Sequence, residues 1–75
     1  MKNKQPRQYS LVRFDPGDID VTFLDKYPFR KDGLYVFLGE IPNMTGHCVV
    51  VDHKTGVVHS GYHTENFVEI PEDEA

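Results

Sequence analysis

The sequence contains no tryptophan, only one cysteine and no long apolar run. The single cysteine, Cys48, excludes an intramolecular disulfide, and a small domain without disulfides is typical of a reducing compartment. No stretch approaches the roughly 18 apolar residues of a membrane-spanning helix. The charged residues 1–8 are not followed by an apolar segment, so they do not form a secretory signal. We therefore expect a cytoplasmic protein that does not enter the membrane.

Positive charge is scarce as well. Eight Lys and Arg stand against twelve Asp and Glu, which gives a formal net charge of −4. Duplex nucleic acid is bound by basic surfaces, so this balance argues against such a ligand. The basic residues are clustered near the N-terminus and around residue 30 (Lys2, Lys4, Arg7, Arg13, Lys26, Arg30 and Lys31). Nucleic-acid binding through a basic arm therefore stays as an alternative to a protein partner.

The chain does contain many residues that form strands. Five Phe and four Tyr are present, and aromatic and β-branched side chains favour pleated, half-buried surfaces. A chain of 75 residues makes one domain, whose core is too small to enclose a deep active site. We therefore predict an all-β, non-enzymatic domain over residues 8–70. A disordered arm is predicted at residues 1–7 and an acidic tail at residues 71–75.

Turn signals divide the domain into five predicted strands. These strands cover residues 8–14, 34–38, 47–53, 57–63 and 68–70. Pro28 excludes a long helix over residues 19–30, which leaves a pair of short strands or an ordered loop. Residues 39–46 form a loop with two glycines, residues 54–56 form a hairpin turn, and residues 64–67 have the length of one 3-10 turn.

The end of this pattern resembles an SH3 domain. Residues 61–68 are Gly-Tyr-His-Thr-Glu-Asn-Phe-Val, and SH3 domains often end with Gly-Tyr-Ile-Pro-Ser-Asn-Tyr-Val. The turn at residues 54–56 is similar to the distal hairpin of that family, and residues 29–34 are similar to its diverging turn. The resemblance implies a small five-stranded SH3-like barrel with a short 3-10 turn before the last strand.

The peptide groove of SH3 domains is not preserved in this sequence. That groove uses an aromatic surface that includes a tryptophan to bind proline-rich ligands, and this chain has no tryptophan. Thr64 stands at the position of the groove proline, and Phe67 stands at that of the groove tyrosine. The resemblance therefore implies the barrel without its usual ligand. Residues 39–47 also resemble small phage and bacterial proteins, a likeness that implies no activity.

Four histidines lie in or beside the predicted hairpin. If Gly56 takes the left-handed conformation after a type I turn, His47 pairs with His63 and all four histidines share one face. If the turn has only two residues, His59 and His63 leave the face that carries His47 and His53. A shared face would allow a metal site from His47, His63 and His59, or an interface that responds to pH. Isolated histidines packed against neighbouring side chains are the alternative.

The remaining reactive side chains favour structural roles. Cys48 precedes three valines, which is typical of a buried small residue rather than of a nucleophile. The four aspartates at positions 15 to 25 indicate a solvated loop, or an acidic edge that contacts a basic partner protein. Both interpretations are favoured over a pair of catalytic carboxylates. We predict no catalytic residue and no cofactor.

The leading hypothesis is a protein-interaction module, of the kind that a phage uses to regulate or inhibit a host factor. We expect its contact surface to centre on one face of the barrel and on the loop at residues 39–46. The predicted binding residues are Tyr62, His63, Asn66, His47, His59, Asn43 and Met44. Nucleic-acid binding through the basic arm and a histidine-based metal module are the alternatives.

Overall fold

The computed structural model describes residues 5–30 and 33–71 of the 75-residue chain. These residues form five strands, one single-turn α-helix and one 3-10 turn. In chain order the elements are β1 (Leu11–Phe14), α1 (Val21–Leu24), β2 (Leu34–Glu40), β3 (His47–Asp52), β4 (Val58–His63), the 3-10 turn (Thr64–Asn66) and β5 (Phe67–Glu69). The prediction of an all-β fold with five strands and a 3-10 turn directly before the last strand is confirmed.

The strands form one antiparallel sheet in the order β4-β3-β2-β1-β5. Strands β4 and β5 lie at the two ends of this order and form no ladder with each other in the described part of the chain. The closed barrel expected from the sequence is therefore not completed by strand pairing. The 3-10 turn links these two strands instead, and the backbone N–H of Thr64 donates to the carbonyl oxygen of Gly46 at 2.8 Å.

One face of the sheet carries the core because apolar side chains alternate inward along the strands. The buried core residues are Val12, Phe14, Phe29, Tyr35, Phe37, Cys48, Val50 and Phe67. Phe29 comes from the connection before β2 and covers this cluster. Its ring meets those of Tyr35, Tyr62 and Phe67 edge to face, with centroid distances of 5.2, 4.7 and 5.1 Å. Edge-to-face pairs of this kind stabilise a core beyond the burial of their area.

The long connection between β1 and β2 is an ordered loop with one helical turn. Asp20 caps α1, because its carboxylate accepts hydrogen bonds from the backbone N–H and the hydroxyl of Thr22 at 2.9 and 3.0 Å. These bonds lower the pKa of Asp20. The helix ends at Leu24, and Pro28 follows before a longer helix can form. Of the two sequence predictions for this segment, the ordered loop is confirmed and the pair of short strands is wrong.

The chain ahead of β1 contacts the sheet before it enters the first strand. Pro6 is buried, and Nη2 of Arg7 lies 2.6 Å from Oε2 of Glu69 in β5. Residues 1–4 of the predicted arm and residues 72–75 of the predicted tail lie outside the described residues. No helix within residues 5–30 and 33–71 is long and apolar enough to cross a membrane.

Candidate functional site

His47 and His63 lie directly opposite each other at the open end of the β3–β4 hairpin. Their ring centroids are 4.6 Å apart, and the ring planes are tilted by 40°. Side chains alternate between the two faces of a strand, and the neighbouring Cys48 points into the core. The His47–His63 pair therefore projects from the outward face of the sheet, and the predicted pairing of these two histidines is confirmed.

The other two histidines do not join this pair. His59 lies opposite Val50 on the core side, and its ring meets that of Phe29 edge to face at 4.9 Å. His53 is exposed in the hairpin turn. Neither register expected from the sequence holds for the whole hairpin. The register that places all four histidines on one face is wrong for His59, and the register in which His59 and His63 both leave the face of His47 is wrong for His63.

The turn and a bulge in β4 together explain this arrangement. The backbone N–H of Asp52 donates to the carbonyl oxygen of Val57 at 2.8 Å, which leaves four residues in the turn and points His59 inward. Towards the open end of the hairpin the register shifts by one residue, and Gly61 is the extra residue. Gly61 adopts the left-handed conformation with a φ of 87°, which glycine tolerates. The extra residue returns His63 to the outward face.

The loop between β2 and β3 holds the ring of His47 in one orientation. Nδ1 of His47 lies 3.2 Å from the carbonyl oxygen of Thr45. A carbonyl oxygen only accepts, so Nδ1 is the donor in this contact, and in the neutral imidazole the free lone pair is then on Nε2. The carbonyl oxygen of Met44 accepts the backbone N–H of His47 at 3.0 Å. Met44 and Asn43 are exposed and lie in the same loop, so these two predicted residues sit beside His47.

Tyr62 lies on the core side of β4, although His63 follows it directly in the chain. Its cross-strand partner is the buried Cys48. Its ring packs against those of Phe29 and Tyr27, with centroids 4.7 and 6.0 Å away. Tyr62 is half-buried, so it belongs to the border of the core rather than to the outward face.

Asn66 contacts the chain itself. Its side-chain Nδ2 donates to the carbonyl oxygens of Asp15 and Pro16 at 3.0 and 3.3 Å. In return the carbonyl oxygen of Asn66 accepts the backbone N–H of Asp15 at 2.7 Å. The side-chain amide of Asn66 therefore joins the 3-10 turn to the start of the long connection between β1 and β2.

The seven predicted binding residues therefore do not form one surface. Four of them lie on the outward face or in the adjoining loop: His47, His63, Asn43 and Met44. Two lie on the core side: His59 and Tyr62. Asn66 is held by hydrogen bonds within the fold.

The sequence reasoning missed an apolar row on the outward face. Leu11 of β1 pairs with Val36 of β2, Val36 pairs with Val51 of β3, and Val51 pairs with Val58 of β4. Direct partners in an antiparallel ladder project from the same face, so four aliphatic side chains stand side by side across four strands. Val58 is 60% exposed, and the other three are half-buried.

A sequence signal for this row was available. Residues 34–38 and 48–51 are apolar at every position, whereas a strand with one solvated face alternates apolar and polar side chains. Continuous apolar runs are typical of strands that are covered on both sides. The core covers only one side of β2 and β3 in the structure.

The arginines among the described residues are paired with carboxylates. The pairs are Arg7–Glu69 at 2.6 Å, Arg13–Asp15 at 4.0 Å and Arg30–Asp52 at 3.5 Å. Pairing neutralises part of the basic surface on which the nucleic-acid alternative depends. The other basic residues of that alternative include Lys2, Lys4 and Lys31, which lie outside the described residues.

The geometry gives no support to chemistry at Cys48. Burial raises the pKa of the Cys48 thiol, although the Thr64 hydroxyl beside it acts in the opposite direction. A buried, protonated thiol is a poor nucleophile. In the part of the chain that the structure describes, no three His, Cys, Asp or Glu side chains are grouped so as to hold a metal ion.

Comparisons with protein-family models, with curated proteins and with solved structures found no match for this chain.

Proposed function

We propose that this protein is a non-enzymatic interaction module that binds a partner protein through the outward face of its sheet. The observation that carries the proposal is the apolar row formed by Leu11, Val36, Val51 and Val58. Monomeric proteins rarely expose a contiguous apolar patch that has no partner. Covering such a patch is favourable by about 25 cal/mol for each Å² of apolar surface removed from water.

Neighbouring side chains extend this row in both directions. Leu34, which is 38% exposed and precedes the buried Tyr35, lies on the same face towards the hairpin turn. Val49 lies on the same face as Val51 and continues the surface towards the open end of the hairpin. There the His47–His63 pair forms a polar border. An apolar centre with a polar border is the arrangement that protein interfaces use.

We further propose that the fold is SH3-like. The strand order, the long ordered connection between β1 and β2, and the 3-10 turn before β5 support this resemblance. Thr64 and Phe67, at the positions of the groove proline and tyrosine, are only 9% and 3% exposed. A proline-rich peptide could therefore not contact these two side chains. Their burial is consistent with a partner that binds the outward face instead.

We propose a biological setting from the resemblance of residues 39–47 to small phage and bacterial proteins. A small module of this kind suits a phage-type regulator or inhibitor that occupies the surface of a host factor. The single Cys48, which is buried and unpaired, suits action in the cytoplasm.

Affinity capture with a charged variant of the outward face tests the proposal. The full-length chain is immobilised and exposed to host lysate that has been treated with nuclease. We expect one stoichiometric protein to be retained by the native chain and lost by the variant Val51→Lys, because a charge at the centre of the apolar row is costly to bury.

The matched control is Thr55→Lys, which adds the same charge at an exposed position of the hairpin turn. This variant should retain the protein at the native level, and thermal unfolding of both variants verifies that they fold. Equal retention by Val51→Lys and the native chain would contradict the proposed surface. Loss of all bound material after nuclease, together with weakening of binding by salt, would favour the nucleic-acid alternative.

A further inference from the structure

We propose that His47 and His63 form a binding site for a divalent transition-metal ion, Cu²⁺, Ni²⁺ or Zn²⁺. Imidazole nitrogen is a preferred ligand of all three ions. The proposal concerns the polar end of the outward face and does not depend on the protein-interaction function. It assigns two protein ligands, and water or a partner's side chain occupies the remaining positions.

The backbone places the two rings together without help from other side chains. His47 and His63 are direct cross-strand partners, and their ring centroids are 4.6 Å apart. Two nitrogens that each lie about 2.0–2.1 Å from one zinc ion are within about 4 Å of each other. With the His47 ring held at Thr45, rotation of the His63 ring about its side-chain torsions would bring one of its nitrogens into this range of Nε2 of His47.

The hydrogen bond from Nδ1 of His47 to the carbonyl oxygen of Thr45 prepares this ring for a metal ion. Histidine ligands in metal sites usually donate their second ring nitrogen to a carbonyl or a carboxylate, which fixes the tautomer and the ring orientation. The 3.2 Å contact has this arrangement and leaves Nε2 of His47 as the ligand atom. The ring of His63 makes no hydrogen bond to the described residues and is exposed, so it is free to turn towards the same ion.

The surroundings of the pair favour a cation. Glu40 and Glu65 line the same shallow groove as His63. The carboxylate of Glu40 accepts the backbone N–H of Gly46 at 2.9 Å, which holds it next to the residue before His47. The groove also contains Arg7 and Arg13, and each of these is paired with a carboxylate. His63 therefore faces a groove that carries acidic side chains, and Glu40 is held at the residue before His47.

A metal titration of the untagged full-length protein tests the proposal. The histidine ring resonances are followed by nuclear magnetic resonance at pH 7.5 while zinc chloride is added. We expect the signals of His47 and His63 to shift together and those of His53 and His59 to remain in place. Cu²⁺ should broaden the same two sets of signals at lower concentration, because copper binds nitrogen ligands more strongly than zinc.

Three variants distinguish metal binding at the His47–His63 site from metal binding at any exposed histidine. His47→Gln and His63→Gln should each weaken copper binding by about tenfold or more, since a site of two ligands loses half of its donors. His53→Gln, which removes an exposed histidine in the hairpin turn, should leave the affinity unchanged. Native affinity in His47→Gln, or an equal loss in His53→Gln, would overturn the proposal.

Discussion

Asn66 is bound to Asp15 in both directions across 51 positions of sequence. Its side-chain Nδ2 donates to the carbonyl oxygen of Asp15 at 3.0 Å, and its own carbonyl oxygen accepts the Asp15 backbone N–H at 2.7 Å. This pair joins the end of β1 to the 3-10 turn before β5. It therefore fixes where the long connection between β1 and β2 leaves the sheet.

The first prediction concerns the side chain of Asn66. The variant Asn66→Ala leaves the carbonyl oxygens of Asp15 and Pro16 without the amide, and we expect the free energy of unfolding to fall by about 1–2 kcal/mol. Urea denaturation measures this change. The control Glu65→Ala alters the adjacent exposed position and should stay within about 0.5 kcal/mol of the native protein. Equal effects of the two substitutions would show that the amide does not join these segments.

The second prediction concerns the ring of Phe29, which covers the core. Phe29→Ala removes the edge-to-face contacts to Tyr35, Tyr62 and Phe67 and should cost about 3–5 kcal/mol. A chain of this length has a total stability of about 4–11 kcal/mol, so the variant should lose a large share of it. Circular dichroism and urea denaturation measure the loss.

Phe23 provides the matched control for this experiment. It lies in α1 with 55% of its surface exposed, so Phe23→Ala makes the same chemical change outside the core. We expect this variant to differ from the native protein by less than about 0.5 kcal/mol. A native melting temperature in Phe29→Ala would show that the core does not depend on this ring.

The strands were predictable because their signals are local. Turn residues separate five segments of β-forming composition, and each of these segments overlaps one strand of the structure. The strand ends were less predictable: β1 begins at Leu11, whereas the sequence pattern begins at residue 8. The single turn of α1 was missed because four residues are too few for a helical period to be visible.

The candidate site was harder to predict because it depends on register. A turn of four residues moves the pairing by one position, and the bulge at Gly61 moves it back before His63. The two shifts cancel for the His47–His63 pair but not for His59, which lies before the bulge. A single register for the whole hairpin therefore cannot place all three histidines correctly. The apolar row depends on three ladders at once, so its alignment could be found only from the sheet.

The third prediction concerns Gly61. Alanine at a φ of 87° is strained, whereas a Cβ at this position would meet no other atom within 4 Å. The variant Gly61→Ala should therefore be destabilised by about 1–2 kcal/mol through backbone conformation alone. Urea denaturation measures the cost. Nuclear Overhauser contacts between the rings of His47 and His63 should remain, because the bulge has room for the methyl group.

Two outcomes would contradict this account of Gly61. The neighbouring substitution Ser60→Ala places alanine at a position without a left-handed backbone, so an equal loss of stability there would exclude conformational strain as the cause. Loss of the contacts between His47 and His63 in a folded Gly61→Ala protein would show that the bulge had moved.

The fourth prediction concerns the dependence of stability on pH through Asp52. Burial by itself would raise the pKa of Asp52, but hydrogen bonds from the backbone N–H groups of Lys54 and Thr55 and the charge of Arg30 outweigh it and lower the pKa. A carboxylate with a lowered pKa in the folded state stabilises the protein above its unfolded pKa of about 3.9. This contribution is lost as the pH falls through the folded value.

Thermal unfolding between pH 7 and pH 2 measures this contribution. The variant Asp52→Asn keeps the shape of the side chain but cannot titrate, so its melting temperature should be lower at pH 7 and should fall less between pH 4 and pH 2 than that of the native protein. Asp18→Asn, at an exposed position of the long connection, should follow the native curve. Parallel curves for Asp52→Asn and the native protein would mean that the carboxylate of Asp52 does not hold the hairpin turn in its charged form. The convergence of the two curves in acid is therefore the decisive observation, because it separates loss of the charge from a general weakening of the turn.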